Sequence, residues 1–161
     1  MEFLPLNLSG LRLVTLLMAF RGNYDHTLDA KNRLTIPSKF RAALHGDIVV
    51  AQALEPCVAI WTADAFESFT ASFLNDLSPL SQESRQLSRY FNSGSFDSEL
   101  DSAGRVMLPP RLFGYAGLTK DVIVIGNNDH LELWEPKAWE QYEADLTANL
   151  SDTVASIVDA A

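Results

Sequence analysis

The sequence predicts an α+β fold in which two copies of one unit of about sixty residues share strands under a pseudo-twofold relation, with amphipathic helices around them. Three observations lead there. At an offset of 72, "GNYDHTLDAKNRLTIP" from Gly22 lies over "GSFDSELDSAGRVMLP" from Gly94, and at an offset of 73, "IWTADAFE" lies over "LWEPKAWE". Within each copy, β-type alternation gives way to apolar residues at helical spacing. A unit of that length buries only about 60% of its unfolded surface and is marginal alone. Two copies must therefore pool their cores, and 161 residues that are 47% hydrophobic, with nine Phe, are enough for one.

Each copy reads the same way. A strand over Phe20–Leu28 has its counterpart over Ser95–Leu100. A tight turn and a short strand follow, Arg33–Ile36 and Arg105–Leu108, and Pro37 and Pro109 end them. Proline is barred from central strands and tolerated in a helix's first turn, so "PSKFRAALHG" and "PRLFGYAG" read as short helices closed by Gly46 and Gly117. Two strand pairs come next, "DIVVAQAL" with "CVAIW" and "DVIVIG" with "HLELW". Phe66, Phe69, Phe73 and Leu77 then mark one amphipathic helix, and Trp139, Tyr142, Leu146 and Leu150 another. Between the copies, "SPLSQESRQLSRYF" predicts a linking helix with Ser81 as N-cap. The closing stretch "SDTVASIVDAA" carries a weak apolar spacing at Val154, Ile157 and Val158.

The organisation that follows is an extension over 1–17, a first half over 18–78, a linking helix over 79–91, a second half over 92–150 and a tail over 151–161. The extension is apolar but broken by Glu2, Pro5 and Arg12, so it predicts neither a membrane span nor a signal peptide. Met18 offers an alternative start. Net charge is -9 and unevenly spread: residues 121–161 hold nine Asp/Glu against one Lys, whereas residues 1–45 hold six Lys/Arg against three Asp/Glu. An acidic total argues against coating nucleic acid with the whole surface, and leaves room for a basic patch at the N-terminal end. Cys57 is alone, which fits a reducing compartment. Three dispersed His give no zinc spacing, and no phosphate-binding glycine loop or nucleophile setting is present, so neither cofactor nor catalysis is expected.

The polar motif inside the repeat is Asp-x-x-x-Arg. With Asp29 at a strand end, Ala30 and Lys31 fill a type I turn and Asn32 falls where φ must be positive. Gly104 fills that place after Asp101, and Gly and Asn are the residues that accept it. The pattern predicts a three-residue hairpin with a bulge, braced by the aspartate accepting turn N–H groups. Arg33 and Arg105 open the return strands. On geometry alone two roles stay open for them: bracing the turn through the aspartate, or projecting with Lys31 toward phosphates and base edges, for which the planar guanidinium is suited.

With these motifs the chain from Phe20 to about Leu150 resembles the MraZ family of bacterial transcriptional regulators. "MAFRGNYDHTLDAKNRLTIP", "LDSAGRVMLPPRL" and the Asp-x-x-x-Arg pair in each half carry the resemblance. It implies two interleaved AbrB-like swapped-hairpin halves forming a β-barrel. It further implies a ring-shaped homo-oligomer in the cytoplasm, associated with the nucleoid. Its double-stranded DNA target would be short direct repeats in the promoter of its own division and cell-wall gene cluster, which it would repress. Neither a membrane nor a small-molecule ligand enters this picture. The family's motif falls on Asp29 and Arg33, and on Asp101 and Arg105. DNA contact is expected from Lys31 and Arg33 first, then Arg105, Arg21 and Arg41, with Lys39 behind them, and turn bracing from Asp29, Asn32, Asp101 and Gly104. Ala103 replaces the lysine in the second turn and weakens its case. The alternative from the same fold is an antitoxin-like protein-binding module.

Overall fold

The computed structural model describes residues 19–161; the predicted extension and the start at Met18 lie outside them. The first half opens with β1 (Phe20–Thr27) and β2 (Arg33–Thr35). Pro37 then starts α1 (Ser38–Arg41), a single turn shorter than the sequence predicts, and Gly46 at φ 83 turns the chain into β3 (Ile48–Gln52). β4 (Val58–Thr62) runs straight into α2 (Ala63–Leu74), where the Thr62 hydroxyl caps the helix by accepting from the Ala65 N–H. The linking helix is α3 (Gln82–Ser93), capped as expected by Ser81, whose Oγ accepts from the Ser84 N–H at 3.1 Å. Replacing Ser81 with alanine leaves that N–H without its cap and is expected to cost about 1 kcal/mol, read as a lower midpoint in urea.

The second half repeats the order with β5 (Ser95–Ser98), β6 (Arg105–Met107) and α4 (Pro110–Ala116), which Gly117 closes in the left-handed conformation. β7 (Asp121–Asn128), β8 (His130–Trp134) and α5 (Pro136–Ala148) follow. The weakly patterned tail is a helix of its own, α6 (Leu150–Ala160).

The halves interleave. All six long strands form one antiparallel sheet in the order β1-β7-β8-β4-β3-β5, so the first strand of each half pairs inside the other half. The order is symmetric about its centre, where Ala59 of β4 faces Glu132 of β8. The two short strands form a separate ribbon, β2 with β6, centred on the pair Leu34 and Val106.

Two expectations are corrected here. The sheet is not closed into a barrel: β1 and β5 are its two edges, and the short strands bond to each other instead of joining them. The hairpins are also not hairpins in the usual sense. Each turn is closed, but β1 leaves it for β7 while β2 leaves it for β6, because Leu34 and Ile36 are drawn into the core beneath the ribbon.

That core lies between one face of the sheet and a layer made by the ribbon, α1 and α4. Leu34, Ile36, Val106, Leu108 and Leu112 meet Val50, Ile60, Val124 and Leu133, all essentially without exposure. The other face is covered by helices in two patches. Trp61, Phe66 and Phe91 pack with Phe69 under α2 and α3, and Trp134 packs with Trp139 and Tyr142 under α5. Both faces being covered is why β3, β4, β7 and β8 read as near-continuous apolar runs.

One charged group interrupts this. Glu132 is buried where its repeat counterpart is Ala59. Its carboxylate accepts from the Trp134 indole N–H at 3.0 Å and the Asn127 amide at 3.2 Å, and meets His130 Nε2 at 3.1 Å. His130 Nδ1 meets Asp129 at 2.8 Å, and its ring stacks at 4.0 Å on Trp61 of the other half. This polar clasp, built within the second half, sits at the pseudo-twofold axis and touches the first half through the stack of His130 on Trp61.

Candidate nucleic-acid interface

The two Asp-x-x-x-Arg turns have the same internal geometry. Asp29 Oδ1 accepts from the backbone N–H groups of Lys31 and Arg33, each at 2.9 Å, and Oδ2 accepts from Arg33 Nε at 2.7 Å. Asp101 does the same with Ala103, Arg105 and Arg105 Nε at 2.9, 2.9 and 2.8 Å. Asn32 at φ 58 and Gly104 at φ 73 supply the left-handed step. The Arg33 backbone N–H above all, with its guanidinium and the Lys31 N–H, holds the Asp29 carboxyl below its ordinary range against an opposing desolvation; Asp101 is held down likewise by Arg105 and Ala103. Both turns are therefore set with their carboxylates charged at neutral pH.

Bracing and projection turn out to be compatible. The brace uses Nε alone, so both terminal amino groups of Arg33 and of Arg105 keep their donors without a hydrogen-bonded partner among the described residues. A guanidinium anchored at Nε is pre-organised, and its remaining donors can grip a phosphate or a guanine edge.

The ribbon brings the two arginines together. Arg33 faces Met107 across it and Thr35 faces Arg105. Leu34 and Val106 alternate with them into the core, so these four residues share the outer face. The arginines are diagonal neighbours, with Cα atoms about 7–8 Å apart. Thr35 and Met107 are exposed there, Met107 by 57%, and sequence reasoning missed both because the pairing of β2 with β6 joins residues seventy positions apart.

The other predicted residues fall into three places. Lys31 is exposed at the tip of the first turn. Arg41, from α1, lies over Gly104 of the second. Arg21 pairs with Asn127 near the start of β1, about 20 Å of strand from its Thr27 end, and so is not brought to the first turn. Lys39 sits over the rings of Tyr24 and Phe40, 4.0 and 5.0 Å from their centroids. A cation the sequence reading passed over, Lys120, joins the first turn, its carbonyl accepting from the Leu28 N–H at 2.8 Å.

The left-handed positions differ in what they tolerate. Asn32 is exposed, so Asn32→Gly removes only the strain of φ 58 and is expected to be neutral or stabilising by a few tenths of a kcal/mol. Gly104 is buried, and a Cβ there would come within 2.5 Å of Arg41 Nε. Gly104→Ala is expected to cost about 1–2 kcal/mol for the backbone alone and to push Arg41 aside, which thermal unfolding of the two variants side by side would read.

Among the described residues no group of His, Cys, Asp and Glu is placed to hold a metal ion, and no helix is long and apolar enough to cross a membrane. Comparison with known proteins matches the chain twice, over residues 19–90 and 91–160, to the family described as "MraZ protein, putative antitoxin-like". A protein named transcriptional regulator MraZ from Lactiplantibacillus plantarum is 35% identical over 140 residues, 87% of this chain and 99% of its own. Its namesake from Leuconostoc citreum is 37% identical over 87% of this chain and 97% of its own. One from Mycoplasmoides gallisepticum is 38% identical over 76% and 86%. These relatives are regulators of transcription by name, not enzymes. Two matches that together span nearly all the described residues, one for each half of the interleaved sheet, make this chain a member of the MraZ family.

Proposed function

We propose that this protein is a sequence-specific DNA-binding transcriptional regulator that seats the outer face of its two-stranded ribbon on duplex DNA. The observation that carries the reading is the convergence of Arg33 and Arg105, one from each half, on one exposed ribbon face with their terminal amino groups unengaged. The major groove admits a two-stranded β-ribbon, and arginine is the residue that pairs bidentately with guanine O6 and N7. Thr35 and Met107 add methyl groups suited to apolar contact with thymine. Lys31 supplies phosphate contact beside them, and the names of the curated relatives agree with a role in transcription.

A single ribbon with so few cations binds weakly, and the chain is acidic overall. We infer a homo-oligomeric ring that presents many ribbons to direct repeats, so that tethered contacts add through effective concentration. Head-to-tail contacts make rings, and they need an unspent apolar surface. Support for that comes from α6, where Leu150, Val154, Ile157 and Val158 are 53–67% exposed, and from Leu80 and Phe73 at the connection of α2 to α3, 86% and 39% exposed. The targets inferred are repeats upstream of the protein's own division and cell-wall operon, with repression as the outcome, in the cytoplasm at the nucleoid.

The test is a mobility shift with the full chain on that upstream duplex at 50 and 200 mM salt. Retardation that weakens steeply at the higher salt, and that a scrambled duplex does not reproduce, is the expected result. Absence of retardation at 50 mM salt, with a protein partner captured instead, would favour the protein-binding module.

A further inference from the structure

The second turn is poorer than the first as a sequence, because Ala103 stands where the first turn has Lys31. Its surroundings reverse that. Gly104 is buried and Asn32 is exposed, although they occupy the same position in the repeat. What covers Gly104 is Arg41, the last residue of α1, reaching over from the other half. Arg41 Nε donates to the Ile36 carbonyl at 2.9 Å, and a Cβ on Gly104 would fall within 2.5–2.9 Å of Nε, Cδ and Cζ. The repeat counterpart of Arg41 is Phe113, which stands beside Asn32 with no charge to offer.

The exchange is compensatory. The first turn has a lysine on the turn and a phenylalanine beside it; the second has an alanine on the turn and an arginine beside it. At the position next to the motif, each turn thus has a cation besides its motif arginine, in cis at Lys31 and in trans at Arg41, and Lys120 lines the cleft beside the first turn as well. Arg41 is built as a held cation and not as a loose surface one. Its Nε is fixed to a backbone carbonyl, no carboxylate forms a salt bridge with it among the described residues, and it lines an open cleft with His45, Glu99, Asp101 and Ser102. Glycine at 104 is what leaves room for it.

We propose that Arg41 completes the second turn in trans as a contact to the phosphodiester backbone of duplex DNA, equivalent to Lys31 on the first. This rests on the DNA-binding reading above and gives the second end of the ribbon a cation that its own turn sequence lacks.

The test uses the full chain on the direct-repeat duplex, with affinity measured by fluorescence anisotropy between 50 and 200 mM salt. Arg41→Ala is expected to weaken binding about equally on matched and scrambled duplexes. It should also make the loss of affinity across that salt range about 3.5-fold smaller for each engaged protomer, as expected for one phosphate contact. Adding Ala103→Lys to Arg41→Ala moves the cation from trans to cis and is expected to restore both affinity and salt dependence, a recovery that mere covering of Gly104 could not produce. Should Arg41→Ala fail to fold, the mirror pair decides: Lys31→Ala loses, and Lys31→Ala with Phe113→Arg regains, the same contact. Wild-type affinity and slope in folded Arg41→Ala, or a folded Ala103→Lys or Phe113→Arg double variant without recovery, overturns the proposal. If Arg33→Ala also binds like wild type, the DNA-binding reading falls with it; if Arg33→Ala alone is impaired, only the role of Arg41 is lost.

Discussion

Arg33→Ala is expected to lose binding to the direct-repeat duplex while the protein stays folded. A bidentate base contact is worth about 1–3 kcal/mol of discrimination, roughly 5- to 150-fold. A ring meets its repeats with several protomers at once and the substitution is present in all of them. With two engaged protomers the loss is about 2–6 kcal/mol, from roughly 30-fold to beyond 10,000-fold. The cost to folding is small for a different reason. The Arg33–Asp29 pair has side chains 23% and 35% exposed, and exposed pairs contribute little. Asp29 keeps its two backbone donors when the guanidinium is gone, so the turn persists. A thermal midpoint within a few degrees of wild type, with binding lost, is the expected pair of results. A large fall in the midpoint would assign Arg33 to bracing alone.

The largest effect on stability is expected at Glu132. Replacing it with alanine strands the Trp134 indole N–H and removes one of the two carboxylate partners of a half-buried His130. Breaking a buried ion pair costs about 3–5 kcal/mol, and the lower end applies because His130 can shed its proton. About 3 kcal/mol in a chain of this size lowers the thermal midpoint by about 6–12 °C. The pH dependence has a definite sign. Desolvation opposes the charge on both groups, but the hydrogen bonds to His130, Trp134 and Asn127 win at Glu132 and hold it below its ordinary 4.5. At His130 the bonds to Glu132 and Asp129 win and hold it above its ordinary 6.5. The Glu132 contribution is present above about pH 4.5 and is lost as pH falls through its lowered folded value; the His130 contribution is complete below about pH 6.5 and fades as pH rises through its raised one. The clasp is thus strongest between these limits. Glu132→Gln keeps the acceptor for Trp134 but removes the charge, so it should flatten the decline in stability above pH 6.5. Identical urea midpoints against pH for wild type and Glu132→Gln would show that the charge of this pair does not contribute to stability.

Much of this architecture was legible because the chain writes its unit twice. The offset of 72 between Asp29 and Asp101 predicted two equal turns, and Pro37, Pro109 and Gly117 marked helix ends where they occur. What the repeat could not show is which copy a strand pairs with. β1 carries the same alternation whether it bonds β2 or β7, so the residues alone predicted a local hairpin, and the interleaving of the halves was expected only through the family resemblance. The shared ribbon face, and with it Thr35 and Met107, was hidden for the same reason. Arg41 was named among the cations, but its place over Gly104 depends on that interleaving. Glu132 had a signal in hindsight, since it interrupts an apolar strand at the position its repeat fills with Ala59. Its partners are local, His130 and Trp134, but its location on the axis is not.

The central claim is that the outer face of the β2–β6 ribbon lies against the duplex. Met107 is 57% exposed on that face, directly opposite Arg33. Incorporating a photoreactive benzophenone amino acid at Met107 and irradiating the complex with direct-repeat DNA tests it most directly. A covalent adduct to the duplex, absent with a scrambled sequence and lost in Arg33→Ala, is the predicted result. DNA retained by the protein with no adduct from this position would place the duplex on some other surface and contradict the account.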